Sequence, residues 1–268
     1  MKWIFGFAPY GKNEFATDMM PTSREASLLF GFAVLAGFIC FLVFWIFPNL
    51  DLDVVRAFAN ENGTFYLGAD PVLSGLRKAV LFILFFFYVL VIGGGLDAFK
   101  HQRPVLGFTW EKWAYLGACA MLGPVLLVNV ILKGNWGRAR PKYLEEFGGS
   151  LDFTPFWVWA DQCRDNCSFT SGEVAGVVMV LFSIAFVLGA GVRYVIFAIT
   201  VLVAAFIAWI RFAMGAHFPS DTVMSVVLML LVAVQVYCLF FLSEARWISK
   251  LNQKQLAKLE HEAADPKG

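Results

Sequence analysis

Apolar residues run in long unbroken stretches along this chain, and short segments between them hold most of its charge. Six stretches stand out: 26–47, 76–95, 113–132, 173–188, 194–210 and 222–243. Most are long enough to cross the roughly 30 Å hydrocarbon core of a bilayer as a helix. Inside lipid the backbone must satisfy its own hydrogen bonds, so each stretch is read as helical. The expected fold class is all-α, a six-transmembrane-helix bundle. The third stretch stops at Lys133-Gly134-Asn135, and Gly189-Ala190-Gly191 makes a tight turn between the fourth and fifth. This divides the chain into an N-terminal segment (1–25), a membrane domain (26–243) and a polar, helical tail (244–268) with Lys250, Lys254, Lys258 and Glu262.

Composition strengthens that picture. With 59% hydrophobic residues, 29 Phe and 9 Trp, the chain belongs with integral membrane proteins, and its length leaves no room for a separate soluble enzyme domain. A net charge of +1 gives no basic or acidic excess, so no nucleic-acid partner is expected, and no obligate protein partner is evident. Residues 1–27 lack the basic start, short apolar core and small-residue cleavage site of a signal peptide, so the first apolar run is expected to remain as an anchor.

Lys and Arg set the expected orientation. With both termini on the cytoplasmic side, the inner segments hold Lys2, Lys12, Arg24, Lys100, Arg103, Lys112, Arg193, Arg246 and the tail lysines. The outer loops hold Arg56, Arg77, Lys78, Lys133, Arg138, Arg140, Lys142, Arg164 and Arg211. Setting aside the cations of the candidate site, the bias favours termini inside. The chain is then expected to be a multi-pass membrane protein with its chemistry on the outer side. Cys163 and Cys167 fall in that outer loop, where an oxidising compartment permits a disulfide; the other reading is half of a metal site, for which no second Cys/His pair exists. Cys40, Cys119 and Cys238 lie within apolar runs and read as packing residues.

Chemistry concentrates at three helix ends on that face. Lys133 and Arg140-Pro141 follow the third stretch, Ser171-Gly172-Glu173 opens the fourth, and Arg211, His217 and Asp221 join the fifth to the sixth. Ser171 suits an N-cap, and Gly172 lets a ligand approach amides that favour an anion. Arg211 ends an apolar run, where a cation is costly unless paired. His217 and Asp221 are spaced for one face of a helical turn that Pro219 can begin; Asp221 can orient one imidazole nitrogen and leave the other free to attack. Each block also has a plain reading: interfacial cations, a simple helix start, or a His beside an N-capping Asp. Arg138 and Lys142 are read as solvated neighbours. The aromatic stretch 153–159 either borders a lipid entrance or is a packed loop cover.

Together these blocks resemble the type 2 phosphatidic acid phosphatase superfamily. That family's pattern is Lys, six residues, Arg-Pro; then Pro-Ser-Gly-His; then Ser-Arg, five residues, His, three residues, Asp. Lys133 with Arg140-Pro141, Ser171-Gly172, and Arg211 with His217 and Asp221 match it. Thr170, Glu173 and Ile210 depart from it, standing where the family has Pro, His and Ser. The Ser-Gly-Glu variant, together with Gly137-Arg138-Ala139-Arg140-Pro141 and Cys167-Ser168-Phe169, resembles bacterial lipid A 4′-phosphatase-like members, as does the 48–53 loop.

The resemblance implies a metal-independent, cofactor-free lipid phosphatase acting in two steps. It assigns catalytic roles to His217 as nucleophile, Asp221 as its orienting group and Glu173 as the acid/base. Lys133, Arg140, Ser171, Gly172 and Arg211 would bind the phosphate. The partners implied are a membrane lipid phosphate and the bilayer, with lipid A first. Undecaprenyl pyrophosphate or phosphatidylglycerophosphate is the alternative substrate. A transporter or lipid-binding protein that holds phosphate without cleaving it is the alternative class.

Overall fold

The computed structural model describes residues 20–242, so the expected C-terminal tail lies outside the described residues. Every regular element among them is helical. We number the helices α1 (Ser23–Ile46), α2 (Leu50–Arg56), α3 (Pro71–His101), α4 (Trp110–Asn135), α5 (Gly172–Val187), α6 (Ala190–Ala213) and α7 (Pro219–Leu242). Five are long and apolar enough to cross a membrane; α5, at 16 residues, is apolar but shorter. The expectation of six spans therefore meets five long helices and one short one.

Local chemistry explains where the helices start. Thr22 and Glu25 cap α1 reciprocally, with Glu25 N–H donating to Thr22 Oγ1 at 3.2 Å and Thr22 N–H donating to Glu25 Oε2 at 2.8 Å. Asp70 accepts from the Leu73 N–H at 2.9 Å, and Pro71 supplies the first position of α3. With its ends so stopped, α3 runs well beyond the apolar stretch 76–95 on both sides. Within α4, residues Met121–Leu132 widen into a π-helix around Pro124. Proline lacks an N–H and crowds the preceding turn, and a local π adjustment re-satisfies the freed carbonyls.

Phe32, Phe38, Phe82, Ile83, Phe86 and Ile92 on α1 and α3 are exposed, as lipid-facing residues are. The buried core lies between α4, α5 and α7, around Tyr115, Cys119, Val178, Met179, Phe186, Met229 and Tyr237. Small residues let the backbones approach, the usual device of helix packing in lipid. A Cβ on Gly94 would come within 2.8 Å of the Trp113 ring, one on Gly176 within 2.9 Å of Leu84, and one on Gly123 within 2.4 Å of Met179. Cys40 and Cys119 are buried as packing residues, while Cys238 is half-buried.

The 136–171 connection folds over the end of the bundle where α1, α4 and α6 finish and α3, α5 and α7 begin. Gly137, at φ +72°, turns the chain back so closely that a Cβ would overlap the Ala160 carbonyl. Phe153 packs against Phe218, and Phe156 against Phe44 and Phe169, whereas Val158 and Trp159 are exposed. The aromatic stretch is thus a packed cover through Phe156 with an exposed apolar tip.

Candidate active site

The three charged blocks meet at this end of the bundle. Lys133 closes α4, and its Nζ lies beside the first turn of α5, where a Cβ on Gly172 would stand 3.3 Å from it. Asn166 joins two of the cations: its side-chain oxygen accepts from Arg140 Nη2 at 2.7 Å and from Lys133 Nζ at 3.4 Å. Its carbonyl also accepts from Arg140 Nη2 at 2.7 Å. Asn166 holds a left-handed φ of +49°, which Asn tolerates better than most residues. It sits inside the loop closed by the Cys163–Cys167 disulfide, whose Cα atoms are 5.6 Å apart. Burial lowers the Arg140 guanidinium from its ordinary value.

Ser171 occupies the N-cap position of α5 but makes no capping bond; its hydroxyl is buried without a protein partner. That departs from the simple cap expected. Glu173, in the first turn, pairs with two arginines. Arg77 Nε donates to Oε1 at 2.7 Å, and Arg211 Nη1 stands 3.4 Å from the same oxygen. Arg211 itself is buried at the end of α6, and its Nε has no hydrogen-bond partner in the protein.

After α6, Gly215 at φ +58° reverses the chain; the Ala216 N–H donates to the Arg211 carbonyl at 2.9 Å. This turn delivers His217, fully buried, to the start of α7, where Pro219 is the first helical residue. His217 Nδ1 lies 3.5 Å from Asp221 Oδ2, just beyond a well-formed hydrogen bond. Burial pushes the imidazole down to about 3, and the Arg211 and Lys133 cations push the same way against the pull of Asp221. The ring is therefore neutral at physiological pH.

Asp221 is held by others as well. Oδ2 accepts from Ser168 Oγ at 2.5 Å and from the Phe218 N–H at 3.0 Å, and Oδ1 accepts from Arg138 Nη1 at 2.6 Å. Arg138 corrects the sequence expectation: it is 0% exposed, not a solvated neighbour. Gly137 and a bond from the Ser168 N–H to the Arg138 carbonyl (2.9 Å) bring it inward. Its side chain finds two carboxylates, Asp221 and Asp51, whereas Lys142, four positions on, remains exposed. Burial raises the Asp51 carboxyl, with Arg138 drawing it back down.

Sequence reasoning thus names the eight residues of the three blocks but misses Asp51, Arg77, Arg138, Asn166, Ser168 and Ser220. One signal was available for Asp51, a carboxylate between two leucines just past a membrane span. Pro141 and the spacing from Lys133 mark Arg140, but nothing comparable marks Arg138 as buried. Among the described residues, no cluster of three or more His, Cys, Asp or Glu could hold a metal ion.

Comparison with known proteins follows this geometry. Residues 113–244, which include all three blocks, match the PAP2 superfamily. The chain is 30% identical over 210 residues to the lipid A 4′-phosphatase of Francisella tularensis subsp. novicida, covering 76% of this chain and 92% of the relative. It is 32% identical to the lipid A 4′-phosphatase of Rhizobium leguminosarum (66% of this chain, 76% of the relative) and 38% identical to that of Rhizobium etli (67% and 79%). No solved structure gives a significant match. With the spacing of its cations and the relatives it aligns with over most of their length, the chain belongs to the PAP2 superfamily.

Proposed function

We propose that this protein is an integral membrane phosphatase that removes phosphate from a lipid headgroup, lipid A or a related bacterial lipid phosphate, without a metal ion. One observation carries the reading. Ser171 Oγ and Arg211 Nε are buried polar atoms without protein partners, in the region that Lys133, Arg140 and Arg211 make cationic. Buried polar groups are nearly always paired, so unpaired ones beside cations describe a surface built for an anion.

His217 attacks phosphorus through its other ring nitrogen, and Asp221 compensates the positive charge that grows on the ring. Hydrogen bonds of this kind are often long before substrate binds and tighten afterwards. Lys133, Arg140, Arg211, the Ser171 hydroxyl and the amides opening α5 hold the phosphoryl oxygens as charge shifts onto them. Glu173, protonated when the substrate is bound, gives its proton to the leaving oxygen, and the carboxylate so formed takes one back from the water that splits the phosphohistidine. The names of the relatives support lipid A as substrate. The exposed apolar faces of α1 and α3 support a protein embedded in a bilayer, and the Lys/Arg bias supports cytoplasmic termini with a periplasmic site in the inner membrane.

The test is phosphate release by purified protein from lipid A, undecaprenyl pyrophosphate, phosphatidylglycerophosphate and phosphatidate, with and without chelator, and with His217→Ala as control. Release should be fastest from lipid A, indifferent to chelator and absent in the variant. Binding of these lipids with no release from any would overturn the enzyme reading.

A further inference from the structure

Beneath the His217–Asp221 pair lies a buried charge cluster that the superfamily pattern does not include. Arg138 uses its guanidinium on both sides. Nη1 donates to Asp221 Oδ1 at 2.6 Å and to Ser220 Oγ at 2.9 Å, Nη2 to Asp51 Oδ2 at 2.7 Å, and Nε to the Thr154 carbonyl at 2.9 Å. Its plane lies over the Phe218 ring, 4.2 Å from the centroid, with Phe153 5.5 Å away. Asp51 accepts two further bonds, from the Ser220 N–H at 2.9 Å and Ser220 Oγ at 2.5 Å. Residues from α2, the 136–171 connection and α7 are locked together, and both ion pairs are almost completely buried.

The sum of charges gives the cluster its meaning. Asp221 and Arg138 alone would be a neutral pair, and a neutral pair does little for a cation forming beside it. Asp51 claims part of the same guanidinium, so Asp51, Arg138 and Asp221 together carry one net negative charge. His217 starts neutral and becomes a cation when it bonds phosphorus. The fixed negative charge is then in place before the reaction, on side chains buried from solvent, where preorganised charge is most effective. Three donors on Asp51 favour its ionised form, which accepts and cannot donate.

We infer that Asp51 and Arg138 are positioning residues for the phosphoryl-transfer step: Arg138 fixes the Asp221 carboxylate, and Asp51 offsets the Arg138 charge so that Asp221 remains available to the His217 cation. This rests on His217 being the nucleophile. Neither residue need touch substrate, so their loss should appear in kcat and hardly in KM.

The experiment measures phosphate release from lipid A by detergent-purified wild type, Asp51→Asn, Arg138→Gln, the double variant and His217→Ala, with melting temperature recorded for each. Asp51→Asn makes the cluster neutral and should lower kcat at least tenfold, with KM within threefold. Adding Arg138→Gln to Asp51→Asn restores the single negative charge on Asp221 and should recover at least threefold of that loss. A purely structural role predicts the reverse, with the double variant worse than either single one, and that result overturns the inference; so does an unchanged kcat in Asp51→Asn. If Asp51→Asn cannot be recovered folded, Ser220→Ala, which removes only the hydroxyl joining Arg138 to Asp51, should lower kcat threefold or more at constant KM; unchanged kcat again overturns it. Turnover retained by His217→Ala would overturn the nucleophile reading instead, so the two failures are distinct.

Discussion

Arg77 Nε donates to Glu173 Oε1 at 2.7 Å, joining the start of α3 to the start of α5. Arg211 reaches the same oxygen at 3.4 Å, so a phosphoryl group that takes Arg211 would leave Glu173 held by Arg77. The carboxylate is thereby kept at the edge of the site rather than free to swing into solvent. Glu173→Gln keeps the shape and removes proton transfer; turnover of a lipid phosphomonoester should fall on the order of a hundredfold with KM little changed. Steady-state kinetics decide it: full turnover in this variant, beside an inactive His217→Ala, would remove Glu173 from the proton steps.

Asn166 is predicted to matter for binding. Its side-chain oxygen is the shared acceptor of Arg140 and Lys133, so Asn166→Ala should free Lys133, leave Arg140 on the residue 166 carbonyl alone, and raise KM for lipid phosphate about tenfold, the cost of one charge-assisted hydrogen bond at roughly 1.4 kcal/mol. Because the Cys163–Cys167 bridge closes its loop, mild reduction should shift KM in the same direction. An unchanged KM in Asn166→Ala would show that the two cations hold their places without it.

Gly172 tests the closeness of the α4 and α5 ends. A Cβ there meets Asn129 Oδ1 at 3.0 Å and Lys133 Nζ at 3.3 Å, so Gly172→Ala should displace the lysine. The expected outcome is a several-fold higher KM with a fully folded protein, since one methyl at a helix start is otherwise favourable. Wild-type kinetics would contradict the placement of Lys133.

The three helix-end blocks were legible because their chemistry is local. Lys133 with Arg140, Ser171 with Gly172, and Arg211 with His217 and Asp221 each fall within a few residues of an apolar run, at spacings a reader can count. The positions of the apolar runs were legible for the same reason. Helix ends were less so, because the caps at Thr22 and Asp70 extend α1 and α3 past the apolar residues. The second tier was not legible. Arg138 and Arg140 flank a single alanine and look alike, yet one is buried against Asp51 and Asp221 and the other reaches Asn166. Only the partner decides, and Asp51 belongs to a helix far back in the chain. Arg77 is hidden likewise, one outer-loop cation among several until α5 brings Glu173 to it.

The buried histidine should leave a mark on pH behaviour. An unfolded chain protonates His near pH 6.5, but burial holds His217 down at about 3. Between those values the unfolded chain binds more protons, so this contribution to stability is complete above about 6.5 and is lost as pH falls towards 3. The melting temperature of the purified protein should drop from pH 7 to pH 5, and His217→Gln should drop less. In the free enzyme, kcat/KM should show no inflection near 6.5 from this residue. Equal slopes for the two proteins would place the imidazole in a more solvated setting than the structure gives it.

The central claim is that phosphate passes through His217. Wild-type protein mixed with excess lipid phosphate, quenched in base within milliseconds to seconds, digested and read by mass spectrometry, should carry one acid-labile phosphate on the peptide that contains His217. The label should form no more slowly than turnover and be absent from His217→Ala. Normal turnover with no phosphorylated His217 at any time, or with the phosphate on another residue, would contradict the account.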